Sequence, residues 1–365
     1  MRDVKIQCTI GPSCNDPEIL ADMLEAGMDV ARVNLSHGSA ASQEDKLINF
    51  RKAVKKSGKD YAAIMFDIRG PEIRVKTLPN DSIFAATGET AVLRCESIEE
   101  SEVAGSSIEH DPYGNQFGSY TTHIIPINYE NLCDEVTTGT QILIDDGKVS
   151  LTVESVKGRD ITCYVDRGGQ IKSRKGVNVP DVKLQMDYLG EDDKEDILWC
   201  IENDVDYVAC SFIRRKADVM TVRQLLDAKG GEHIGIIAKI ESKEAVSNLE
   251  AIAASADQVL VARGDLGVEI GFERVPAVQK RIIRKCREMG RAVIIATQLI
   301  DSMTTSLTPT RAEVSDIANA VFDGATDLLV TGETAAGKYP VAVVREMAKI
   351  IEQAEYDAEK YGDML

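Results

Sequence analysis

Along the chain, short runs rich in Val, Ile and Ala end abruptly in polar or glycine residues, and an amphipathic stretch follows. The runs cover 4–10, 30–35, 62–68, 205–212, 235–240, 258–262, 292–296 and 328–330. Near-continuous apolar runs of this length suit strands buried on both faces of a parallel sheet. Residues 17–26 are predicted as a helix, entered through Asn15-Asp16 as a cap and closed by Gly27. The stretches 191–204, 215–229, 243–255, 276–289, 310–323 and 340–359 also carry spaced apolar residues among many charges. Strand-like runs alternating with helices predict an α/β fold of the (β/α)8 TIM-barrel type; an open doubly wound sheet is the alternative on the same pattern.

In such a barrel the residues just after each strand form the rim of the site. That rim reads Thr9-Ile10-Gly11-Pro12, Asn34-Leu35-Ser36-His37-Gly38, Asp67-Ile68-Arg69-Gly70, Ser211-Phe212, Lys239-Ile240-Glu241, Arg263-Gly264-Asp265, Thr297-Gln298 and Thr331-Gly332-Glu333. Polar or glycine residues mark every strand end. The alternation breaks over 75–176, which is rich in Thr, Val, Ile, Gly and Asn, with turn signals at Asp146-Gly147, Lys157-Gly158 and Gly168-Gly169. Residues 141–144, 149–153 and 161–165 are predicted as short strands. The expected organisation is a barrel built from 1–74 and 177–365, with an all-β domain, 75–176, inserted after barrel strand three. A cap over the barrel mouth is the natural role for an insertion at that end.

Composition narrows the function classes. A hydrophobic share of 44% in 365 residues is enough for a sizeable core and excludes disorder as the overall state. With 42 Lys and Arg against 60 Asp and Glu, the net charge of -18 argues against nucleic acid or an anionic membrane as partner. Positive charge for an anionic ligand must therefore be local. The eight cysteines are scattered with no Cys-x-x-Cys pair, and only four histidines are present, which gives a structural zinc site little support. Several cysteines, such as Cys210, sit in apolar runs and read as small core residues. No apolar stretch approaches the ~18 residues that span a bilayer. Charged Arg2, Asp3 and Lys5 lead straight into a strand-like run, so no signal peptide is expected and a reducing cytoplasm is the default.

Chemistry concentrates at the strand ends. Period-two alternation sends Lys239 and Glu241 to the same side of the sheet. A cation beside a metal-binding carboxylate is what phosphoryl transfer needs, although an ion pair capping a strand is the plainer alternative. Asp265, after the adjacent strand, supplies a second carboxylate, and two acidic side chains with ligand oxygens and water suit Mg²⁺ or Mn²⁺. Asn34, Ser36 and Asp67 are hard oxygen donors with Arg32 and Arg74 near them: a cation site with phosphate-gripping arginines, or simple rim hydrogen bonding. His37 reads as a turn residue in Ser-His-Gly. Thr297 and Thr331 are ordinary hydroxyls unless they face one pocket.

The motifs Thr9-Ile-Gly-Pro12, Ala31-Arg-Val-Asn-Leu-Ser-His-Gly38, Asp67-Ile-Arg-Gly-Pro-Glu-Ile-Arg74, Lys175-Gly-Val-Asn-Val-Pro180, Ile237-Ala-Lys-Ile-Glu241 and Val261-Ala-Arg-Gly-Asp-Leu-Gly-Val-Glu269 resemble pyruvate kinase. So do Ala296-Thr-Gln298, Thr308-Pro-Thr-Arg-Ala-Glu-Val-Ser315 and Gly332-Glu-Thr-Ala335. The resemblance runs in order from the first strand to the region of residue 355. It implies transfer of the phosphoryl group of phosphoenolpyruvate to ADP, giving pyruvate and ATP.

By that resemblance Arg32 contacts the substrate phosphoryl group, Lys239 stabilises it in transit, and Glu241 and Asp265 hold Mg²⁺. Gly264, Asp265 and Thr297 bind the carboxylate end, and Thr297 lies near the face where the enolate is protonated. Ser211 and Arg74 join the substrate set. Asn34, Ser36, Asp67 and the carbonyl of Ile68 match a K⁺ site, and Glu72 accompanies potassium dependence. Thr9, Pro12, Arg32, His37 and Lys175 match positions lining the nucleotide. The chain departs from the family pattern at Ile68, Arg69 and Thr331, which stand for Thr, Lys and Ser, and in the polar stretch 96–122. Relatives also continue into a further domain that carries sugar-phosphate effector sites, whereas this chain stops at Leu365; insensitivity to such effectors is the expectation. A homo-oligomer through barrel-to-barrel contact is compatible with the resemblance. Two other readings are a Mg²⁺-dependent pyruvate-forming lyase, which would not need Lys239, and a catalytically silent barrel that binds phosphoenolpyruvate.

Overall fold

The structure, a computed structural model, describes residues 2–96, 104–110 and 116–362, without the side chains of His37, 104–110 and 116–122. Of the polar stretch 96–122, residues 97–103 and 111–115 lie outside the described residues. The chain divides into two compact units. One comprises Met1–Pro71, Asp187–Gly267 and Phe272–Leu365; the other comprises Glu72–Met186 and Val268–Gly271.

The first unit is a closed parallel barrel of Lys5–Thr9, Met28–Asn34, Ala63–Ile68, Tyr207–Cys210, Gly235–Ile240, Gln258–Ala262, Ala292–Ala296 and Asp327–Val330, each pairing with its sequence neighbours and the last closing on the first. Each predicted run overlaps one of these strands, and the second and eighth begin ahead of their runs, at Met28 and Asp327. The fourth is shorter than its run, because Ser211 and Phe212 already turn and Phe212 takes a φ of 53°. Alternate residues Val30, Met65, Ala209, Ile237, Leu260, Ala262, Ile294, Ala296 and Leu329 form one apolar cluster filling the barrel. Two residues further along four of these strands, the same inward column carries Arg32, Asp67, Ser211 and Lys239. The barrel core thus ends in a polar layer, and period two dictates which residues occupy it.

Helices cover the strands. In Pro17–Ala26 the side chain of Asp16 accepts from the backbone N–H of Glu18 and Ile19, and Gly27 ends the helix at a φ of 121°. Glu44–Ser57 is a helix the hydrophobic pattern did not announce: only Leu47, Phe50 and Ala53 of its fourteen residues are buried. The single helix expected over 243–255 is two, Lys243–Ser247 and Leu249–Ala253, joined at Asn248. Arg263-Gly264-Asp265, read from sequence as part of the rim, opens a helix, Arg263–Ile270, directly at the end of the sixth strand. None of the helices among the described residues is long and apolar enough to cross a membrane.

Apart from Val268–Gly271, the second unit lies in sequence between the third and fourth barrel strands. Its main sheet runs Ile73–Arg74, Gly176–Asn178, Gln141–Ile144, Val149–Lys157, Asp160–Arg167, Thr90–Arg94, Gln116–Pro126 and Ala104–His110; Gly169–Lys172 pairs separately with Ser82–Ala85. It includes one short helix, Leu132–Glu135. The unit extends beyond 75 and 176 at both ends, because Ile73–Arg74 pairs with Gly176–Asn178 and Ile73, Val177 and Val179 are buried in its core. Gly168-Gly169 is a strand junction rather than a turn. A Cβ on Gly168 would come within 2.4 Å of the Ala85 carbonyl oxygen, so close backbone approach demands the glycine.

Candidate active site

The polar layer of the barrel is a continuous charge network. Asp67, 1% exposed, is its hub. Its Oδ2 accepts from Arg32 Nε at 2.9 Å and lies 2.7 Å from the Arg32 NH2 group. Its Oδ1 accepts from Ser211 Oγ at 3.0 Å and from Lys239 Nζ at 3.2 Å. Lys239 also donates to Ser211 Oγ at 2.7 Å and forms an ion pair with Glu241 Oε1 at 3.0 Å. Arg32 donates in addition to Thr9 Oγ1 at 3.0 Å, and Thr9 donates to the Val330 carbonyl. Six strand ends are thereby tied together. Glu241, at 1% exposed, accepts from the Phe212 N–H at 2.6 Å through Oε2, while Oε1 is buried without a hydrogen bond.

Burial and charge compete at each group. For Asp67, burial raises the carboxyl pKa, but Lys239 and Arg32, with hydrogen bonds from Arg32 and Ser211, outweigh it and hold the group below its ordinary value. Lys239 shows the mirror image: burial lowers its pKa, and Asp67 and Glu241 raise it above the ordinary value, so the ammonium stays protonated. Glu241 is the exception. Burial pushes it up, Lys239 pulls it down less strongly, and Asp265 raises it further. A buried carboxylate with a raised pKa, whose Oε1 meets the Lys239 ammonium but accepts no hydrogen bond, is a group that a divalent cation would stabilise in its charged form.

On the sixth and seventh strand ends, Gly264 N–H donates to Thr297 Oγ1 at 3.0 Å. Thr297 and Gln298 take φ values of 71° and 53°, a costly conformation for a β-branched residue. Arg263 restrains this turn, donating to the Thr297 carbonyl at 2.6 Å and the Gln298 carbonyl at 2.9 Å and pairing with Asp316 at 2.7 Å. At the third strand end, Gly70 has a φ of 65°, and a Cβ there would come within 2.3 Å of the Ser211 carbonyl oxygen. That carbonyl also accepts from Tyr188 OH at 2.9 Å.

The structure thus brings Thr9, Arg32, Asp67, Ser211, Lys239 and Glu241 together, and joins Gly264 to Thr297. Asn34 is the register partner of Asp67 on the neighbouring strand, and its Oδ1 accepts from Ser36 N–H at 3.1 Å. Ile68, which ends its strand, is fully buried, and Pro12 is exposed in the turn after the first strand. His37 falls in the short turn Leu35–His37 that Gly38 closes, and its side chain is outside the described set. Asp265 sits in the first turn of Arg263–Ile270. Arg74 and Lys175 belong to the second unit: Arg74 donates to Glu72 Oε2 at 2.8 Å, and Lys175 pairs with Asp145 at 2.8 Å.

Sequence reasoning did not find the linking role of Asp67, the Arg263–Asp316 brace or Tyr188. Arg263 stood inside a quoted rim segment, whereas nothing local marks Asp316 or Tyr188.

The family described as "Pyruvate kinase, barrel domain" matches residues 1–344. The chain belongs to that family. It is 44% identical over 366 residues to the pyruvate kinase of Geobacillus stearothermophilus, covering 100% of this chain and 59% of the relative. It is 43% identical to that of Bacillus licheniformis, covering 97% and 57%. For Clostridium perfringens the identity is 41%, covering 97% and 71%. The chain thus spans well over half, but not all, of the length of these curated relatives.

Proposed function

We propose that this chain transfers the phosphoryl group of phosphoenolpyruvate to ADP, forming pyruvate and ATP, as the names of its relatives suggest. The observation that carries the reading is the buried Arg32–Asp67–Ser211–Lys239–Glu241 network at the strand ends. Two cations are concentrated there in a chain whose net charge is -18. Asp67 and Glu241 balance those cations, so a divalent ion bound beside them would turn the site positive toward an anionic substrate.

In the transfer, the bond between the phosphorus and the enol oxygen breaks and one to the terminal ADP oxygen forms. Arg32 binds the phosphoryl group and Lys239 meets the charge that develops on it. Asp67 fixes both cations from behind, so little reorganisation accompanies the reaction. Gly264, Asp265 and Thr297 hold the substrate carboxylate, with Arg263 setting the Thr297 turn. The enolate carbon then takes a proton at the face beside Thr297.

Glu241 and Asp265 would hold Mg²⁺ or Mn²⁺, and Glu241 Oε1, which accepts no hydrogen bond beyond its ion pair with Lys239, fits that use. A divalent ion there would supply positive charge against the charge that develops on the substrate. Asn34, Ser36, Asp67 and the Ile68 carbonyl suit K⁺ by their hard oxygens; Asp67 would share itself between that ion and its present partners. Thr9, Pro12 and His37 are the nucleotide candidates of this reading on the barrel unit; Lys175 and Arg74 keep, on the second unit, the nucleotide and phosphate roles that the resemblance gives them.

The test is ATP formation from phosphoenolpyruvate and ADP, followed through a coupled assay with Mg²⁺ present and K⁺ present or absent. Potassium-activated turnover is expected. Pyruvate released without ATP would favour the lyase, and phosphoenolpyruvate binding without turnover would favour the silent barrel.

A further inference from the structure

One helix braces the two strand ends that supply the candidate K⁺ ligands. Asn34 ends the second barrel strand and Ser36 follows it, while Asp67 and Ile68 end the third. The helix Glu191–Glu202 reaches both ends with carboxylates spaced three residues apart, on one face. Asp193 Oδ1 accepts from the backbone N–H of Arg69 at 3.2 Å and of Gly70 at 3.3 Å. Asp196 Oδ1 accepts from the Ala40 N–H at 2.6 Å. The Arg69 side chain spans the gap: Nε donates to the Leu35 carbonyl at 2.9 Å, NH1 pairs with Asp192 at 2.9 Å, and NH2 faces Asp196 Oδ2 at 4.0 Å. Asp193 and Asp196 are 4% and 2% exposed, so water competes little for these bonds.

Two of these bonds act on the backbone that carries the ligands. The Ile68 carbonyl and the Arg69 N–H belong to one trans peptide and point in opposite directions. Fixing that N–H on Asp193 therefore fixes the direction of the Ile68 carbonyl. The Leu35 carbonyl belongs to the peptide that leads into Ser36, so its bond to Arg69 restrains the chain between Asn34 and Ser36.

We propose that Asp193, Asp196 and Arg69 are positioning residues for the monovalent cation, holding its oxygen donors at a fixed spacing and so setting the preference for K⁺ over the smaller Na⁺. The inference rests on the K⁺ reading of Asn34, Ser36, Asp67 and Ile68 given above. Selectivity between ions of one charge depends on cavity size and on how freely the ligands move. Donors free to close in suit the smaller ion as well, whereas a braced set keeps the wider spacing. Asp193 works through the backbone, so asparagine in its place keeps an acceptor and alanine does not.

Thermal unfolding of the full chain is followed through Trp199, its one tryptophan, in KCl, NaCl and tetramethylammonium chloride at equal ionic strength. A bound ion raises the midpoint by mass action, and K⁺ should raise it above both other salts. Asp193→Ala and Arg69→Met should erase the margin of K⁺ over Na⁺. In the coupled assay they should raise the half-activating K⁺ concentration by about tenfold, with kcat at saturating K⁺ changed far less. Asp193→Asn and Arg69→Lys should restore most of both. Where Asp193→Ala does not fold, Arg69→Met decides, because that side chain is 24% exposed. A brace that is only structural lowers the midpoint equally in all three salts, and that result, or an unchanged K⁺ margin in Arg69→Met, overturns the proposal. Absence of any K⁺ margin in the unaltered chain overturns the K⁺ reading itself, and the proposal with it.

Discussion

Two aspartates, one in each unit, each hold two basic side chains, and the contrast between them separates a structural charge network from an ordinary one. In the barrel, Asp67 binds Arg32 and Lys239, whose side chains are 11% exposed. In the second unit, Asp145 binds Lys148 at 3.0 Å and Lys175 at 2.8 Å, whose side chains are 66% and 39% exposed. Both carboxyls lie below their ordinary pKa despite a burial effect that raises them. The same direction of shift has different weight. Lysines in water lose little when their partner goes, whereas buried cations have no solvent to fall back on. The barrel network is therefore a committed arrangement, and the Asp145 cluster is adjustable.

The sharpest way to break this comparison is Lys239→Met. If the ammonium meets charge that develops only in transit, turnover should fall ~10³-fold while phosphoenolpyruvate affinity changes far less. Steady-state kinetics at saturating Mg²⁺ separate the two effects. Near-normal turnover would show that the buried lysine is merely a strand-end ion pair.

Removing the hub tests structure rather than chemistry. Asp67→Ala leaves two buried cations without their shared counter-ion and should cost about 3–5 kcal/mol of barrel stability. Urea unfolding followed through Trp199, which packs against Phe66 in the barrel unit, reads this directly. The pH dependence has a definite sign. A folded-state pKa below the unfolded value of about 3.9 gives stabilisation that is complete well above that pH. It drains away as pH falls through the lower folded value. An Asp67→Ala barrel should therefore show a flatter loss of stability in acid than the unaltered one.

How far all this could be read from sequence follows from the same physics. Barrel strands are buried on both faces, so their runs are continuous and all eight were visible. The helix Glu44–Ser57 was invisible because its mostly solvated surface leaves only Leu47, Phe50 and Ala53 as a signal. Arg263–Ile270 was hidden by Gly264 and Gly267, which read locally as loop, and buries only Leu266. Period two put Lys239 and Glu241 on one side from local sequence alone. That Asp67 reaches Lys239, 172 residues away, depends on Tyr207–Cys210 pairing with Ala63–Ile68 on one side and Gly235–Ile240 on the other, which no local pattern encodes.

The smallest expected effect is the most discriminating between the two clusters. A double-mutant cycle with Asp145→Asn and Lys148→Met should give a coupling of about 0.2–1 kcal/mol at low salt. Raising the salt to about 1 M shortens the screening length to ~3 Å, comparable with the 3.0 Å contact, and should remove most of that coupling. The corresponding cycle at Asp67 and Arg32 should barely respond, because mobile ions do not enter a site where the aspartate is 1% exposed. Both couplings depend on ionised carboxylates, so both must vanish when the acid titrates, and the measurement belongs near pH 7. If the Asp145 coupling persists in high salt, solvent does not screen that cluster, and the distinction drawn between the two aspartates is wrong.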